Sequence, residues 1–558
     1  MRADQIGFWP LLKNAAEAAE TQDQGIPQSG CVFGAEAEGT PGVRFVGGSG
    51  IEITRPWQEH EAFTWSTWAY IPPGLTSAAG SLMSCFDPET RHGAELGVAH
   101  GASTTSQSNV ANVEFGVDWG SEPRWSDLGR PEHSIGVFAL AVHAGRLYAG
   151  CLSDDGLGRV HEWDGGWRDL LGAGGANCVS ALASHEGSLY AGTTRYRTGG
   201  SAMQIPDNDE PGGEVLRLEQ DGSWSSCGRL PGCDAVAALV TYGGYLYAAA
   251  TYQQGVWRLG SRGWEPCGSP GRRLLTLGIH EGRLVGGGND HLDPDEAIEL
   301  TRQGIVTPQQ SEAGGGGVFA LTPDLEWEAW GMQPDTTQIY SLTTSHGRLC
   351  ASTWPNGLVF ELGENGEWTS TGRLGSETEV MGLATYNGSL YGGTLPHAQL
   401  HRRDRNGWTR VGTVDVTPKV LYRRAAGLAL HDGALIVGTL PSGRVHAMRV
   451  GDVVTRDVSL APGWHHLCVT YDAHAVRLYV DGEPAMRKHQ PDGTRAPLPD
   501  RPLTVGAGSR GPFAGLLRNL RVFSRSLSIA EVEELRHMDD PRIDVEVDGG
   551  TREKATRA

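Results

Sequence analysis

The chain between Trp125 and about Val450 repeats one pattern of hydrophobic and polar positions. Short apolar runs alternate with turns that contain Gly, and the phrase Gly-x-Leu-Tyr-Ala-Gly or a close variant returns seven times, first at 145–150. A tryptophan keeps step with this phrase, at Trp125, Trp167, Trp224, Trp264, Trp327, Trp368 and Trp408. A period of about forty residues, with two lengthened repeats, indicates a propeller or a solenoid.

Each repeat predicts four short strands. In the first repeat they are 137–142, 147–150, 158–163 and 167–170, joined by turns that carry Gly. Four strands and one Trp per repeat are typical of a propeller blade. No repeat has a helical period, which argues against a helical or leucine-rich solenoid.

The ends of the array predict how it closes. The last repeat has three strand patterns but no following Trp strand, whereas the segment 124–128 is a strand without a repeat of its own. Pairing these two would complete the last blade and remove the exposed edges of the ring. We therefore predict an all-β protein with a seven-bladed β-propeller at 121–450.

Two blocks without the repeat flank the array, at 1–120 and 451–540. Segments such as 42–46, 51–54 and 63–70 alternate strongly between apolar and polar residues, which predicts strands of a two-sheet sandwich. The second block contains, in order, Trp-His-His at 464–466, Tyr-Asp at 471–472, Leu-Tyr-Val-Asp-Gly at 478–482, Phe-Ala-Gly at 513–515 and Leu-Arg-Val-Phe at 520–523.

This order closely resembles the laminin-G-like, concanavalin-A-like jelly roll, and 7–11 and 63–68 resemble the first strands of that family. The resemblance implies one jelly roll made of 1–120 and 451–540, with the propeller inserted in it and 541–558 as a flexible tail. It also implies a lectin-like accessory domain, although such domains often only pack beside a catalytic partner. Insertion is plausible physically because a closed ring brings its own two ends together.

Composition and charge restrict the partners. The 558 residues include 80 Gly and 30 Pro, and the formal net charge is −20. This balance suits a turn-rich β protein and argues against nucleic acid or an anionic membrane as a partner. No apolar run reaches the about 20 residues of a spanning helix, and the first residues do not resemble a secretory signal. As read, the chain is expected to be cytoplasmic, or secreted if a signal has been removed.

The loops between second and third strands, which gather at one end of a propeller that we call the mouth, carry the candidate binding residues. They are rich in aromatic, basic and acidic side chains, namely Asp154, Asp155, Arg195, Tyr196, Arg197, Tyr252, Trp354 and Asn356. Aromatic faces beside polar donors are what a sugar ring requires. A protein-binding propeller would carry nearly the same collection, so that alternative stays open.

The two lengthened repeats place insertions at this mouth. The one at about 288–316 brings Asp290, His291, Asp293 and Asp295 close together, a set that could bind a divalent cation such as calcium or perform acid–base chemistry. A solvated acidic loop is the alternative. The one at about 197–213 begins like a calcium loop, but Pro211 stands where an oxygen ligand belongs.

Most histidines have a structural explanation in the repeat. His143, His185, His280 and His431 recur in the turn before the second strand, which marks them as turn residues. His291 and His397 are placed at the mouth without such an explanation. They are the candidate catalytic histidines.

Three functions remain open from the sequence. The first is recognition of a glycan at the propeller mouth. The second is an enzyme acting on polysaccharide. A uronate lyase would use His291 or His397 with Tyr196 or Tyr252 as base and acid and Arg195 or Arg197 to neutralise the carboxylate, whereas a hydrolase would use two carboxylates among Asp154, Asp155, Asp290 and Asp293. The third is a protein-interaction scaffold. A mouth lined by Tyr, Arg and His would favour the lyase.

Overall fold

The computed structural model describes residues 5–12, 14, 25–54, 61–75, 79–99, 104–170, 175–196, 210–251, 253–289, 316–332, 336–472, 474–486, 501–538 and 540–542. In that part of the chain every named element is a strand except one helix. The all-β class predicted from the alternating patterns is therefore confirmed. No helix in the described ranges is both long enough and apolar enough to cross a membrane.

Two packed sheets are formed jointly by the two ends of the chain. The first has the strand order β3-β4-β43-β6-β39-β40-β41, with β1 also paired to β43, and the second has the order β2-β5-β42-β7-β8-β9-β38. The N-terminal strands are β1 (Gln5–Trp9), β2 (Ile26–Pro27), β3 (Cys31–Ala37), β4 (Thr40–Phe45), β5 (Ile51–Ile53), β6 (Phe63–Ile71), β7 (Gly80–Ser84), β8 (His92–Ala99) and β9 (Asn112–Trp119). The C-terminal strands are β38 (Asp452–Arg456), β39 (Gly463–Tyr471), β40 (Val476–Val480), β41 (Glu483–Pro484), β42 (Leu503–Val505) and β43 (Leu516–Phe523).

Central strands in both sheets come from opposite ends of the sequence. β6 lies between β39 and β43, with Trp65 opposite both Val469 and Val522. One cluster of buried apolar side chains, including Trp9, Trp65 and Phe115, fills the space between the sheets. Neither end of the chain could bury this core alone, because each supplies only part of every sheet.

The single helix, α1 (Ile529–Met538), follows the last strand. Ser528 begins it as the N-cap: its backbone N–H and its hydroxyl both donate to the Glu531 carboxylate, at 2.9 and 2.8 Å. This is the reciprocal arrangement that the Ser-x-x-Glu sequence predicts. Val532 and Leu535 bury the inner side of the helix against the first sheet.

The remaining strands form seven antiparallel groups of four, counted within the described ranges, which we call units 1 to 7. Unit 1 is β11 (Ser134–His143), β12 (Arg146–Ser153), β13 (Arg159–Trp163) and β14 (Trp167–Asp169); unit 2 is β15 (Cys178–His185), β16 (Ser188–Thr194), β17 (Glu214–Leu218) and β18 (Trp224–Arg229); unit 3 is β19 (Val236–Tyr242), β20 (Tyr245–Ala250), β21 (Val256–Gly260) and β22 (Gly263–Pro266). Unit 4 is β23 (Arg273–His280), β24 (Arg283–Asn289), β25 (Gly317–Leu321) and β26 (Trp327–Met332); unit 5 is β27 (Gln338–Ser345), β28 (Arg348–Trp354), β29 (Leu358–Leu362) and β30 (Trp368–Arg373). Unit 6 is β31 (Glu379–Tyr386), β32 (Ser389–Leu395), β33 (Gln399–Asp404) and β34 (Gly407–Thr413); unit 7 is β35 (Arg424–His431), β36 (Ala434–Leu440), β37 (Val445–Arg449) and, from before unit 1, β10 (Arg124–Gly129).

The first strand of each unit, its inner strand, contacts the inner strand of the next unit, and β35 of unit 7 contacts β11 of unit 1. The strand β10 pairs with β37, so that Trp125 lies opposite Met448. The strand before the array thus completes the unit at its end, which is the pairing that the sequence predicts.

The turn between the first and second strands shows why the repeat carries a His-x-Gly sequence. In unit 1, Ala144 and Gly145 both have positive φ, 49° and 84°, as a two-residue hairpin turn requires. The histidine before the turn bonds to a hydroxyl of the next unit: Nδ1 of His143 lies 2.8 Å from Oγ of Ser184, and Nδ1 of His185 lies 3.1 Å from Oγ1 of Thr241. These histidines join neighbouring units.

A segment of the sandwich enters the centre of the array. This segment, 104–109, which we call the plug, lies between β8 and β9 and hydrogen-bonds to inner strands of six units. Its bonds are Asn109 N to Val142 O, Gln107 N to Leu182 O, Ser184 N to Gln107 O, Thr105 O to Leu239 N, Thr276 Oγ1 to Thr104 O, and Thr104 Oγ1 to Met381 O and Ala426 O. The sandwich and the array are therefore locked together along the central axis.

Candidate functional site

The mouth lies at the end of the array opposite the His-x-Gly turns. In unit 1, Ser134 at the start of the inner strand pairs with Ser153 at the end of the second strand. The start of each inner strand and the loop after each second strand therefore share one end of their unit. That shared end is where side chains from different units can meet.

A polar side chain just before several inner strands fixes the mouth loop of the same unit. Asn177 holds both backbone groups of Tyr196, accepting from its N–H at 2.6 Å and donating to its carbonyl at 2.9 Å. In unit 7 the backbone N–H of Ser442 donates to Asp415 at 2.9 Å. Both Asn177 and Asp415 are buried. We call such a contact, in which a buried polar side chain bonds to the backbone of a mouth loop, a clamp.

In unit 6 the clamp is Glu377, and it also holds an imidazole. The backbone N–H of His397 donates to Oε2 of Glu377 at 3.1 Å, as in unit 7, but Nδ1 of His397 also lies 2.6 Å from Oε1. The Glu377 side chain is 0% exposed and that of His397 is 52% exposed. A buried carboxylate that accepts from Nδ1–H fixes the tautomer and leaves Nε2, with its lone pair, as the free ring atom.

Four side chains from different units meet at the mouth end of the inner strands: Tyr196 of unit 2, Tyr340 of unit 5, Glu379 of unit 6 and Arg424 of unit 7. We call them the mouth cluster. A nitrogen of Arg424 donates to the Tyr196 hydroxyl at 3.1 Å, and Tyr340 hydrogen-bonds to Glu379. The ring of Phe138 packs on Tyr196, with centroids 5.0 Å apart.

The His397 loop adjoins this cluster. His397 forms a parallel bridge with Arg423, the residue before Arg424, and the N–H of Ala398 donates to the carbonyl of Arg423 at 3.1 Å. The imidazole and the guanidinium thus belong to neighbouring segments of one rim.

Burial governs the charges in the cluster. Burial raises the pKa of Glu379, and the nearby positive charge of Arg424 only partly offsets this. Burial, with the adjacent Glu379, raises the pKa of Tyr340 well above its ordinary value. Burial would lower the pKa of Arg424, but Tyr196, Glu379 and Tyr340 more than compensate, and the pKa is raised. Arg424 is thus firmly cationic, and burial shifts Glu379 towards its neutral form.

The plug lies directly beneath the mouth cluster. Thr104 donates to the carbonyls of Met381 and Ala426, which follow Glu379 and Arg424 by two residues along the same inner strands. At the level of Thr104 lie the apolar side chains Met381, Leu395, Ala426 and Leu440. The cluster therefore sits above a closed, partly apolar base.

Some of the site residues predicted from the sequence lie at the mouth, and others lie outside the described residues. Tyr196 and His397 lie at the mouth as described, and Arg195 joins them there through its backbone N–H, which donates to the carbonyl of Asp234 at 3.1 Å. Trp354 precedes a cis peptide to Pro355, and Asn356 is exposed in the same loop. His291, Tyr252, Arg197, Asp290, Asp293 and Asp295 lie outside the described residues.

Asp154 and Asp155 are engaged in ion pairs. Asp154 contacts Arg130 at 3.1 Å and His133 at 3.0 Å, and Asp155 pairs with Arg159. Arg159 also contacts Asp169 of β14. Both aspartates therefore fix the unit 1 loop. Among the described residues, no group of three or more His, Cys, Asp or Glu side chains is arranged to hold a metal ion.

The sequence analysis missed Glu377, Tyr340, Glu379 and Arg424. A signal for two of them was present, since inner strands are mostly apolar and a charged first position stands out, at Glu379 and Arg424 as well as at Arg273. The convergence of those positions on one axis is visible only in three dimensions.

Comparison with solved structures finds similar folds at low identity. A streptogramin B lyase structure is 11% identical, with 59% of this chain and 98% of that chain covered and a TM-score of 0.44. Virginiamycin B lyase from Staphylococcus aureus is 11% identical, with 59% and 100% covered and a TM-score of 0.42. The WD40 β-propeller domain of Doa1 is 10% identical, with 58% and 96% covered and a TM-score of 0.40.

No curated protein matches this chain. A family model does match part of it, over residues 408–533, and this region contains the motifs from Trp464 to Phe523 on which the resemblance rests. The recognised family is the concanavalin A-like lectin/glucanases superfamily, to which residues 408–533 are similar, as the sequence predicts.

Proposed function

We propose that the seven units form a seven-bladed β-propeller inserted into the laminin-G-like sandwich, and that the protein binds a glycan at the propeller mouth. The ring of inner strands and the β10–β37 pairing support the first part. The mouth cluster carries the second part, because it combines a cationic guanidinium with two phenol rings at partly buried positions.

The chemistry of the cluster favours an acidic sugar. Arg424 has no carboxylate oxygen of the described residues within the 4.0 Å of an ion pair, although the charge of Glu379 is near enough to raise its pKa. A guanidinium in such a position is suited to pair with a carboxylate in two parallel hydrogen bonds. The Tyr196, Tyr340 and Phe138 rings provide the apolar surface that a sugar ring packs against. A uronate-containing polysaccharide offers both features.

A lyase that cleaves such a polysaccharide is the second candidate, and the Glu377–His397 pair favours it over hydrolysis. In β-elimination a base removes the proton on C5, the C4–O bond to the leaving sugar breaks, and a C4–C5 double bond forms. Nε2 of His397 would take the C5 proton and Arg424 would stabilise the negative charge that develops on the carboxylate. The Tyr196 hydroxyl would return a proton to the leaving oxygen.

The test is a panel of uronate-containing and neutral polysaccharides, measured both by retention in an affinity gel and by the ultraviolet absorbance of the unsaturated product. We expect retention on a uronate polymer that is weakened in Arg424→Lys. Absorbance that rises with wild type and is lost in His397→Gln would establish the lyase. Retention on no polysaccharide and no product from any of them would refute both functions and leave a protein-interaction scaffold.

A further inference from the structure

A second concave surface lies at the opposite end of the array from the mouth. It is a cleft of about 1260 Å³ between the sandwich and the turn side of units 4 and 5, and we call it the junction cleft. Its propeller wall includes 277–282 and 342–348, its sandwich wall includes Gly47, Gly48 and 510–512, and the plug residues Ser106 and Gln107 also line it.

The cleft lies beside the hydrogen bonds between the sandwich and the turn side of the ring, which among the described residues fall in units 5, 6, 7 and 1. The backbone N–H of His346 donates to the carbonyl of Ser509 at 2.7 Å, and Asn387, Gly433 and Gly145 make hydrogen bonds to the sandwich in units 6, 7 and 1. These contacts close one side of the junction, and the cleft opens beside them. Clefts between domains are frequent ligand sites.

Trp330 gives the cleft an aromatic wall whose orientation is fixed. Its ring nitrogen donates to Glu328 at 3.0 Å, and the edge of His280 meets it at 82° with centroids 6.3 Å apart. The guanidinium of Arg283, which is not one of the cleft-lining residues, lies 5.1 Å from the ring centroid. Arg283 thus lies over one side of the Trp330 indole, and a part of the ring that Arg283 does not cover borders the cleft.

The exposed charged groups on the rim of the cleft are one arginine and two glutamates. Arg348 is exposed, as are Glu281 and Glu364, and none of these three has a hydrogen-bond or ion-pair partner among the described residues. His280, deeper in the cleft, is neutral at pH 7 because burial lowers its pKa. A separate cationic donor and separate anionic acceptors suit hydroxyl groups better than an ionised ligand.

The apolar lining argues against a peptide as the occupant. Leu277 and Leu342 are each 6% exposed and Val240 is 2% exposed, so their side chains are already packed within the array. A peptide needs open pockets for apolar anchor side chains, and these residues do not offer them. The volume exceeds the about 300–1,000 Å³ of typical sites for one small ligand, which suits an extended chain.

We infer that the junction cleft binds a neutral oligosaccharide, with a sugar ring against Trp330 and hydroxyl groups hydrogen-bonded to Arg348 and Glu364. This site is separate from the mouth, and its occupation does not depend on the function proposed there.

The experiment is calorimetric titration of the full chain with cellohexaose, laminarihexaose, xylohexaose and maltohexaose. We expect one of them to bind, with affinity lowered at least fivefold in Arg348→Ala and in Glu364→Gln and at least tenfold in Trp330→Ala. Arg348 and Glu364 are exposed and free, so the first two variants keep the fold even if Trp330→Ala does not. Arg410→Ala is the control, because Arg410 on the fourth strand of unit 6 is likewise exposed but is not one of the cleft-lining residues.

Binding that is unchanged in Arg348→Ala and Glu364→Gln would overturn the inference, as would failure of all four hexasaccharides to bind. Arg424→Lys at the mouth should leave this binding unchanged. Loss of hexasaccharide binding in that variant alone would assign the neutral ligand to the mouth and also overturn the inference. A peptide ligand whose binding Arg348→Ala weakens, with no sugar bound, would make the cleft a protein site instead.

Discussion

Glu377 and His397 form a pair in which the acid is fully buried and the imidazole is half exposed, with Oε1 and Nδ1 2.6 Å apart. Asp415 clamps the corresponding loop of the next unit through the backbone N–H of Ser442 without an imidazole. The clamp is therefore common to both units, whereas the oriented histidine belongs to unit 6.

The first prediction separates these two roles of Glu377. Glu377→Gln keeps an acceptor for the His397 backbone N–H but removes the charge that favours the Nδ1–H tautomer. We expect product formation, or glycan affinity if there is no turnover, to fall about 10- to 100-fold, as for other residues that orient a functional histidine. Nitrogen NMR of the His397 ring should show a changed tautomer ratio. Asp415→Asn is the matched control and should leave both measurements unchanged. An equal loss in Asp415→Asn would show that Glu377 only holds the mouth loop and does not act through the His397 ring.

The second prediction concerns the charge of Arg424. Arg424→Gln removes the cation while keeping a donor near the Tyr196 hydroxyl. Hydrogen bonds to charged groups contribute about 1.5–3 kcal/mol, so affinity for a uronate polymer should fall at least tenfold. The wild-type affinity should also decline with added salt. Arg444→Gln is a suitable control, since Arg444 lies on the outer side of unit 7 and pairs with Asp127. A uronate ligand that binds Arg424→Gln as tightly as wild type would exclude the cluster as its carboxylate site.

The third prediction tests how far the plug stabilises the molecule. Thr104 donates to Met381 O at 2.9 Å and lies 3.2 Å from Ala426 O. Thr104→Val conserves shape but leaves these buried carbonyls without that donor, which costs about 1–3 kcal/mol. Chemical denaturation should show this loss in one transition shared by sandwich and array. Thr369→Val on an exposed position of β30 should be neutral. Two separate transitions in the wild-type protein would show that the plug does not couple the domains.

The fourth prediction concerns the closing strand. Trp125 packs on Gly412, where an added Cβ would lie 2.6 Å from the indole, and its ring nitrogen donates to Val411 O at 3.3 Å. We expect Trp125→Ala to lower the free energy of unfolding by about 2 kcal/mol, less than for a fully buried Trp because the ring is half exposed. Hydrogen exchange should increase in both β10 and β37. Exchange that increases in β10 alone would contradict closure by this pair.

The fifth prediction is a loss of stability in acid. Burial lowers the pKa of His466 from 6.5 to about 4. Its Nε2 lies 2.8 Å from Oγ of Ser66, and its backbone N–H donates to Asp481. Between these pKa values the unfolded chain binds a proton that the folded chain does not, so stability falls as the pH drops from 6.5 towards 4.

The contribution of His466 is at most about 3 kcal/mol. His466→Gln, which keeps a partner for Ser66 and does not titrate, should flatten the fall measured by thermal unfolding at a series of pH values. His401, whose pKa burial also lowers to about 4, should leave a residual slope. An unchanged slope in His466→Gln would show that this imidazole does not contribute.

The repeated part of the molecule could be predicted from the sequence because each unit has the same short-range pattern of strand and turn residues. The Gly-bearing turns between the strands depend on residues close in sequence, and the structure has them as predicted. The mouth cluster was not accessible, because Tyr196 and Arg424 are separated by 228 residues and belong to non-adjacent repeats. The plug was missed for another reason: 104–109 is a polar stretch with no pattern, and only its bonds to six inner strands make it part of a core.

The plug also constrains the order in which this chain can fold during synthesis. Residues 104–109 are made before every inner strand, whereas the last inner strand, β35, ends at His431 and the sandwich is completed only at β43. The sheets that contain the N-terminal strands therefore remain incomplete while the ring assembles around 104–109, which lies between two of those strands. Growth of the ring around 104–109 gives six of the inner strands a partner as they emerge, so the early segment acts as a template rather than a late addition. A circularly permuted chain that supplies this segment last would have to thread it into a finished ring, and we expect such a chain to fold slowly or to aggregate.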